Sequence, residues 1–464
     1  PDGRHSRVIM AFALAIAFIV SIAAGYFMVR GRHPQLILAG AGLVMLACSL
    51  LLGGSGPADQ STGLAFFDLF RSVTESLKSK LSGIGAMIMV IAGFVSYMDY
   101  MGATAALVRI GTKPISVLKR WPYLAAVAVI PLGQLLSLCV PSAAGLGLLM
   151  IATVHPILIR IGVSKITSVS IIVLCTCFDM GPASANTARA AELLQMDNVQ
   201  YFVASQLPLA TMLTFALMVF VYFQSKYLDS RMSSDQPLAQ QTATADDAAS
   251  PLAYAILPVL PLILLMTFNA FFQTGEHPIV LDTTTAMLIS LFVSMAFHGL
   301  VARNVRELES GIIACWNGMG RAFSTIITLI VAADIFASGL IALGLIDGLL
   351  VLSNAMGWGA IGILTLFIAL IFFASILMGS GNASFFAFGP LIPDLARTLG
   401  IPGIKFLLPM QLASSMGRAA SPIAGVVIAT AGIAGVNPMH VARRNLLPMM
   451  LLSVLMVLIQ QFAT

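Results

Sequence analysis

Some ten times along its length this chain passes through about twenty apolar residues with few charges, each run long enough to cross the roughly 30 Å hydrocarbon core of a bilayer as a helix. Inside hydrocarbon every backbone N–H and C=O needs a partner within the protein, so such runs fold as helices. Composition agrees: 59% of residues are hydrophobic and 9% charged, against roughly 25% charged in soluble domains. The chain is therefore an all-α polytopic membrane protein. Its first run, VIMAFALAIAFIVSIAAGYFMV at 8–29, is longer than a signal-peptide core and lacks a small-residue cleavage site, so it reads as a retained span.

One stretch breaks the apolar rhythm. Residues 225–250, SKYLDSRMSSDQPLAQQTATADDAAS, are polar and nearly free of large apolar side chains, the signature of a linker. Taken as a cytoplasmic linker over 227–252, it separates a first membrane half, 1–226, from a second, 253–464. The first half has expected spans near 8–29, 36–53, 82–99 and 201–224, a hairpin-like pair over 122–162 and a broken segment over 165–195. The second has spans near 253–272, 282–301, 322–343 and 441–462, a pair over 358–399 and a broken segment over 404–434. The order of features matches, and Gly102, Ser142, Gly162, Met180-Gly181 and Pro208 fall on Gly344, Ser380, Gly400, Met416-Gly417 and Pro448 at nearly constant offsets. Internal duplication is a common plan of secondary transporters. With the N-terminus outside, most of the 24 Lys and Arg residues fall on the cytoplasmic side, the usual bias. The hairpins then enter from opposite faces, and the repeats are inverted.

The apolar runs are interrupted in a patterned way. YLAAVAVIPLGQLL leads into SLCVPSAAGLGLLMI at 137–151, and WGAIGILTLFIALIFFA leads into SILMGSGNASFFAFG at 375–389. Pro141, Gly379 and Gly381 disfavour continuous helix, and irregular backbone survives at membrane depth only where protein or a watery cavity surrounds it. Each interruption is expected to be the tip of a re-entrant hairpin. A half-helix starting there offers unpaired N–H groups and a positive dipole end, an anion site. Ser142, Ala143, Ser380, Gly381 and Asn382 are the candidate binding residues at the tips. The broken segments add DMGPASANTAR at 179–189, with Pro182, Ser184 and Asn186, and LASSMGRAASPIAG at 412–425, with Ser414, Ser415, Arg418 and Ser421. A single Ser or Gly is ordinary small-residue helix packing; four such patches, two per half, point to one shared cavity.

Arg418 is the most informative charge. Arginine within a membrane is expensive, and its planar fork suits a carboxylate; the competing role is a structural pair with Asp179 or Asp334. Asp334, in LIVAADIFASG, either carries a coupling proton or steadies the scaffold. Asp179 and Asp334 are thus the candidates for coupling to an ion, sodium or proton. Arg189 and Glu192, three residues apart, read as an exposed helix-surface pair.

Other functions are disfavoured. The net charge of +5 comes without a basic cluster interleaved with aromatics, so no nucleic-acid partner is expected. Cys48, Cys139, Cys175, Cys177 and Cys315 have no zinc-like spacing and read as small helix residues; no metal or cofactor is called for beyond a coupling ion. A serine hydrolase needs a paired intramembrane base, and His155, His298 and His440 fall near span ends. The chain has no selectivity-filter repeat or acidic ring.

The segments SAAGLGLLMIATVHP (142–156), GSGNASFFAFGPLIPDLA (379–396) and QLASSMGRAASPIAGVVIATAGIAG (411–435) resemble those of the DcuC family of bacterial four-carbon dicarboxylate carriers. That family falls in a larger ion-transporter group with the INDY-like dicarboxylate symporters. The resemblance spans nearly the whole chain outside the linker. It implies an inverted-repeat transporter of the bacterial inner membrane, dimeric, moving substrate by an elevator-type shift. Succinate, fumarate, malate or aspartate are the implied substrates, exchanged or exported during anaerobic growth. It carries binding roles to Ser142, Ser380 and Asn382, to Pro182 and Ser184, and to the stretch from Ser414 to Ser421. INDY-like tips read Ser-Asn-Thr and support sodium; here the first reads Ser142-Ala143-Ala144 and the second Ser380-Gly381-Asn382. The alternatives are the membrane subunit of a binding-protein-dependent dicarboxylate transporter and, more remotely, an intramembrane hydrolase.

Overall fold

A computed structural model describes residues 2–53, 62–113, 115, 120–231, 251–269, 279–357 and 359–462. Most of the expected linker (232–250) and Trp358 lie outside this set; residues 227–231 continue a helix that ends at Arg231. Among the described residues the only regular structure is helical, with ten helices long and apolar enough to cross a membrane.

Two expected spans are the C-terminal parts of longer helices. The 82–99 run belongs to a helix over Ala65–Tyr100, and the 322–343 run to one over Val305–Ala342. The first is kinked at Gly83, whose backbone angles are non-helical, and the second contains one π-helical turn, Phe323–Ile327. Their N-terminal parts are amphipathic and charged, which hides them from a search for continuous apolar runs. The Val305–Ala342 helix packs along Ala65–Tyr100 and along Pro34–Leu51. A Cβ on Gly339 would lie 2.9 Å from the Gly42 carbonyl, so that contact is backbone against backbone.

The breaks adopt similar local forms in the two halves. Helix Pro122–Cys139 ends at an extended Val140, and Ser142 caps the next helix, Ala143–Thr153, which continues through His155–Arg160. Helix Gly359–Met378 ends at Gly379, whose φ of +67° favours glycine, and Ser380 caps Gly381–Phe388. The broken segments differ in length of break: ten non-helical residues separate Lys165–Leu174 from Ala185–Leu194, and five separate Ile404–Ala419 from Gly425–Ala434.

The core sits on these broken segments. Every residue from 167 to 174 and from 406 to 417 is buried, as befits segments apolar all round. The Phe12–Val29 helix is only 11% buried and lies at the periphery. Backbone groups freed at the breaks are taken up by amides of the long helices. The Gly181 N–H donates to Gln206 Oε1 at 3.3 Å, and Asn445 Nδ2 donates to the Ala419 carbonyl at 3.0 Å.

Candidate functional site

Four short helices begin at the four breaks, and all four present their first turn to one cavity of about 270 Å³. Ser142, Ala143 and Ala144 reach it from Ala143–Thr153, Ala185 from Ala185–Leu194, Asn382 from Gly381–Phe388, and Gly425 and Val426 from Gly425–Ala434. Local sequence fixes these starts. Ser142, Ser184 and Ser380 hold extended N-cap conformations and accept from the N–H groups of Gly145, Thr187 and Ala383 at 3.2 to 3.3 Å. Ala424 caps the fourth helix without a side-chain hydrogen bond. Each N-terminus carries a partial positive charge of up to about half a unit, so the cavity is polarised toward anions on four sides.

Arg418 adds a full charge. It closes the last turn of Ile404–Ala419, and its Nη2 donates to the Thr176 carbonyl at 2.6 Å. Its Nη1 stands 3.9 Å from Asp179 Oδ2, within ion-pair range but too long for a hydrogen bond. Its Nε has no partner. Of five guanidinium N–H groups, only a minority are therefore committed to the protein. Asp179 lines the same cavity and is oriented by Ser184 Oγ at 2.7 Å and Asn186 Nδ2 at 3.1 Å. Its backbone carbonyl accepts from Gln411 Nε2 at 2.9 Å, while Gln411 Oε1 accepts from Tyr201 and Gln206. That buried amide network ties the two broken segments together. It was missed in the sequence, where lone glutamines and a tyrosine in apolar runs were the available signal.

Among the sequence-nominated residues, Ser142, Ala143, Asp179, Asn382 and Arg418 line the cavity. Others stand behind its wall. Ser184 and Asn186 hold Asp179, the Pro182 carbonyl accepts from Asn198, and Ser380 caps its helix. Gly381 abuts the Ser414 backbone, where an added Cβ would come to 2.9 Å from the carbonyl oxygen. Ser414 Oγ donates to the Gln411 carbonyl, Ser421 Oγ donates to the Ile376 carbonyl, and the buried Ser415 Oγ has no partner. Thr176, Phe178, Met180 and Ile326 line the cavity without having been singled out.

Asp334 lies elsewhere, in a four-charge cluster. Its two oxygens meet Arg189 Nη2 and, at 3.3 Å, Lys80 Nζ; Glu192 pairs with the same two cations, with Lys80 at 2.6 Å. The surface reading of Arg189 and Glu192 is thereby corrected. The Arg189 side chain is 1% exposed, because Asp334 arrives from the long Val305–Ala342 helix and closes over it. The two acids balance the two bases, which is what lets a fully buried arginine sit among three partly buried charges.

Two solved structures share this fold. The YdaH transporter of Alcanivorax borkumensis matches with a TM-score of 0.58 at 17% identity, over 93% of this chain and 99% of that one. MtrF of Neisseria gonorrhoeae, from a class of antimetabolite efflux pumps, matches with a TM-score of 0.55 at 13% identity, over 92% and 94%. The ten apolar helices define a multi-pass membrane protein, and its family and relatives make it a transporter rather than an enzyme. Sequence relatives narrow the class. A probable anaerobic C4-dicarboxylate transporter of Vibrio cholerae is 34% identical over 441 residues, 94% of this chain and 95% of its own length. The anaerobic C4-dicarboxylate transporter of Escherichia coli K12 is 30% identical over 439 residues, 94% of each. The profile of the DcuC family, the C4-dicarboxylate anaerobic carriers, matches residues 12–463, and the chain belongs to that family.

Proposed function

We propose that the protein carries four-carbon dicarboxylates such as succinate, fumarate, malate or aspartate across the bacterial inner membrane, binding the dianion in the 270 Å³ cavity. The observation that carries this reading is the convergence of four helix N-termini and the under-partnered Arg418 on one small volume. One carboxylate is held by the spare Arg418 donors, the other by the N–H groups and hydroxyl at Ser142 and Ala143, with Asn382 closing the opposite wall. Family membership supports the substrate class. Pro182, Ser184, Asn186, Ser380, Gly381, Ser414, Ser415 and Ser421 act in this scheme through the walls they hold.

The matched element order supports two inverted repeats, each with a re-entrant hairpin and a broken helix. Those four elements move as one body past the long helices in an elevator-type cycle, within a homodimer. Of the coupling candidates, Asp179 touches the cavity and senses whether it is filled. Asp334 belongs to the cluster joining the Ala185–Leu194 helix to two long helices, where sodium or a proton would act on the junction.

The test is radiolabelled succinate uptake by the purified chain alone in proteoliposomes. Vesicles are preloaded with fumarate, aspartate or nothing, with and without sodium and pH gradients. Uptake accelerated by internal dicarboxylate is expected. No uptake in any condition overturns the reading, and uptake only with an added soluble binding protein favours the binding-protein-dependent alternative.

A further inference from the structure

A second cavity of about 300 Å³ adjoins the first. Pro141, Ser142, Ala185 and Ile326 line both, so a ligand leaving one volume passes the Ser142 helix terminus into the other. Its charged lining residues are Arg321 and Asp99. Arg321 lies two residues before the π-helical turn Phe323–Ile327, where the altered helical phase meets the cavity wall. Its Nη2 donates to Ser96 Oγ at 3.3 Å, and among the described residues no carboxylate lies within 4.0 Å of it. Lys80, by contrast, lies three residues before the kink at Gly83 and is engaged by two carboxylates. An exposed arginine whose acid neighbour Asp99 stays beyond ion-pair distance, facing a cleft that shares a wall with an anion site, raises the local anion concentration and the entry rate.

From this geometry we infer a transient anion-binding vestibule in which Arg321 recruits the dicarboxylate before it reaches Arg418, while Asp99 limits how tightly it is held. The inference rests on the dicarboxylate reading above and adds a second, weaker binding station to it. Arg418 commits a donor to Thr176 and stands near Asp179, whereas Arg321 remains at the exposed rim. The handover therefore runs from a hydrated cation to a desolvated one, across the hydroxyl of Ser142.

The experiment is a KM and Vmax comparison for succinate counterflow in proteoliposomes at low and high ionic strength. Arg321→Gln is expected to raise KM about tenfold, with a smaller fall in Vmax and a flattened salt dependence. Asp99→Asn is expected to move KM the other way, lowering it about threefold, because it removes the repelling charge. Opposite signs separate recruitment from a structural role, which would impair both variants alike. Arg321→Lys keeps the charge and is expected to keep the wild-type salt dependence, so it carries the test if the glutamine variant fails to reconstitute. The inference is overturned if Arg321→Gln and Asp99→Asn shift KM in the same direction, or if folded Arg321→Lys loses the salt dependence. If the wild-type protein transports succinate with a KM indifferent to these changes, the vestibule falls and the cavity reading stands. If the wild-type protein transports no dicarboxylate, both fall.

Discussion

Arg189 and Arg418 both lie in the apolar interior, one on each broken segment, and they are partnered in opposite ways. Arg189 has a side chain 1% exposed and gives one nitrogen to Glu192 and another to Asp334, with Lys80 completing a neutral cluster. Arg418 is 14% exposed, donates to a backbone carbonyl, and keeps Asp179 at 3.9 Å. The first has its charge neutralised by the protein's own acids, although its Nε, like that of Arg418, has no partner. The second is held in place by a neutral group and keeps its charge for something else. A buried cation that the chain has neutralised serves the scaffold; one positioned by carbonyls beside a cavity serves an anion that comes and goes.

The sharpest way to break that contrast is to remove Arg189. Arg189→Met leaves two partly buried carboxylates sharing Lys80, and the lost pairing costs about 2–3 kcal/mol, below the figure for a fully buried charge. A large fall in thermal stability in detergent is expected, with poor recovery of monodisperse protein. Deleting Asp334 as well, in Arg189→Met/Asp334→Leu, leaves the Lys80–Glu192 pair at 2.6 Å intact and restores most of the lost stability. Wild-type stability in the single variant would place Arg189 outside the scaffold and end the comparison.

Arg418→Ala comes next in size and differs in kind. Its carbonyl partner, Thr176, loses a modest bond, whereas the substrate loses charge-assisted bonds of about 1.5–3 kcal/mol each. The expected result is a fall of about 10- to 100-fold in succinate affinity, with the stabilisation that succinate confers on melting lost as well. Arg418→Lys keeps the charge without the fork and is expected to fall between. If succinate still stabilises Arg418→Ala as it does the wild type, Arg418 belongs with Arg189 as a structural cation.

How far these two residues were legible in the sequence follows from where their partners come from. The ten apolar runs, the breaks at Pro141 and Gly379, and Arg418 within a serine-rich break are local features, and the structure places helix ends where they occur. Arg189 and Glu192 sit three residues apart, so locally they look like a solvated helix pair. What closes over Arg189 is Asp334, contributed from 145 positions further along the chain. The long Ala65–Tyr100 and Val305–Ala342 helices were half legible for a related reason. Their charged first halves face other parts of the protein, and amphipathic pattern alone does not reveal which. Asn382 and Ala144 are a middle case: they are the third residues of the two matching tips, and both line the cavity.

The smallest effect separates the two hairpin breaks. Ser142 and Ser380 occupy the same local geometry, each extended and each accepting from the N–H three residues on, at 3.2 and 3.3 Å. As caps they are interchangeable, so either change to Ala is expected to cost about 1 kcal/mol of stability. Only Ser142 also lines the cavity; the chain beside Ser380 is pressed onto the opposing broken segment, where Gly379 meets the Ile423 carbonyl and Gly381 the Ser414 carbonyl. The Ser142 hydroxyl hydrogen is left to turn toward a bound carboxylate while its oxygen caps the helix. Ser142→Ala is therefore expected to weaken succinate binding several-fold, by about 1 kcal/mol, and Ser380→Ala to leave it within experimental error. Matched melting curves with and without succinate read both quantities at once. Equal losses of affinity in the two variants would mean that the second break contributes to the anion site as directly as the first.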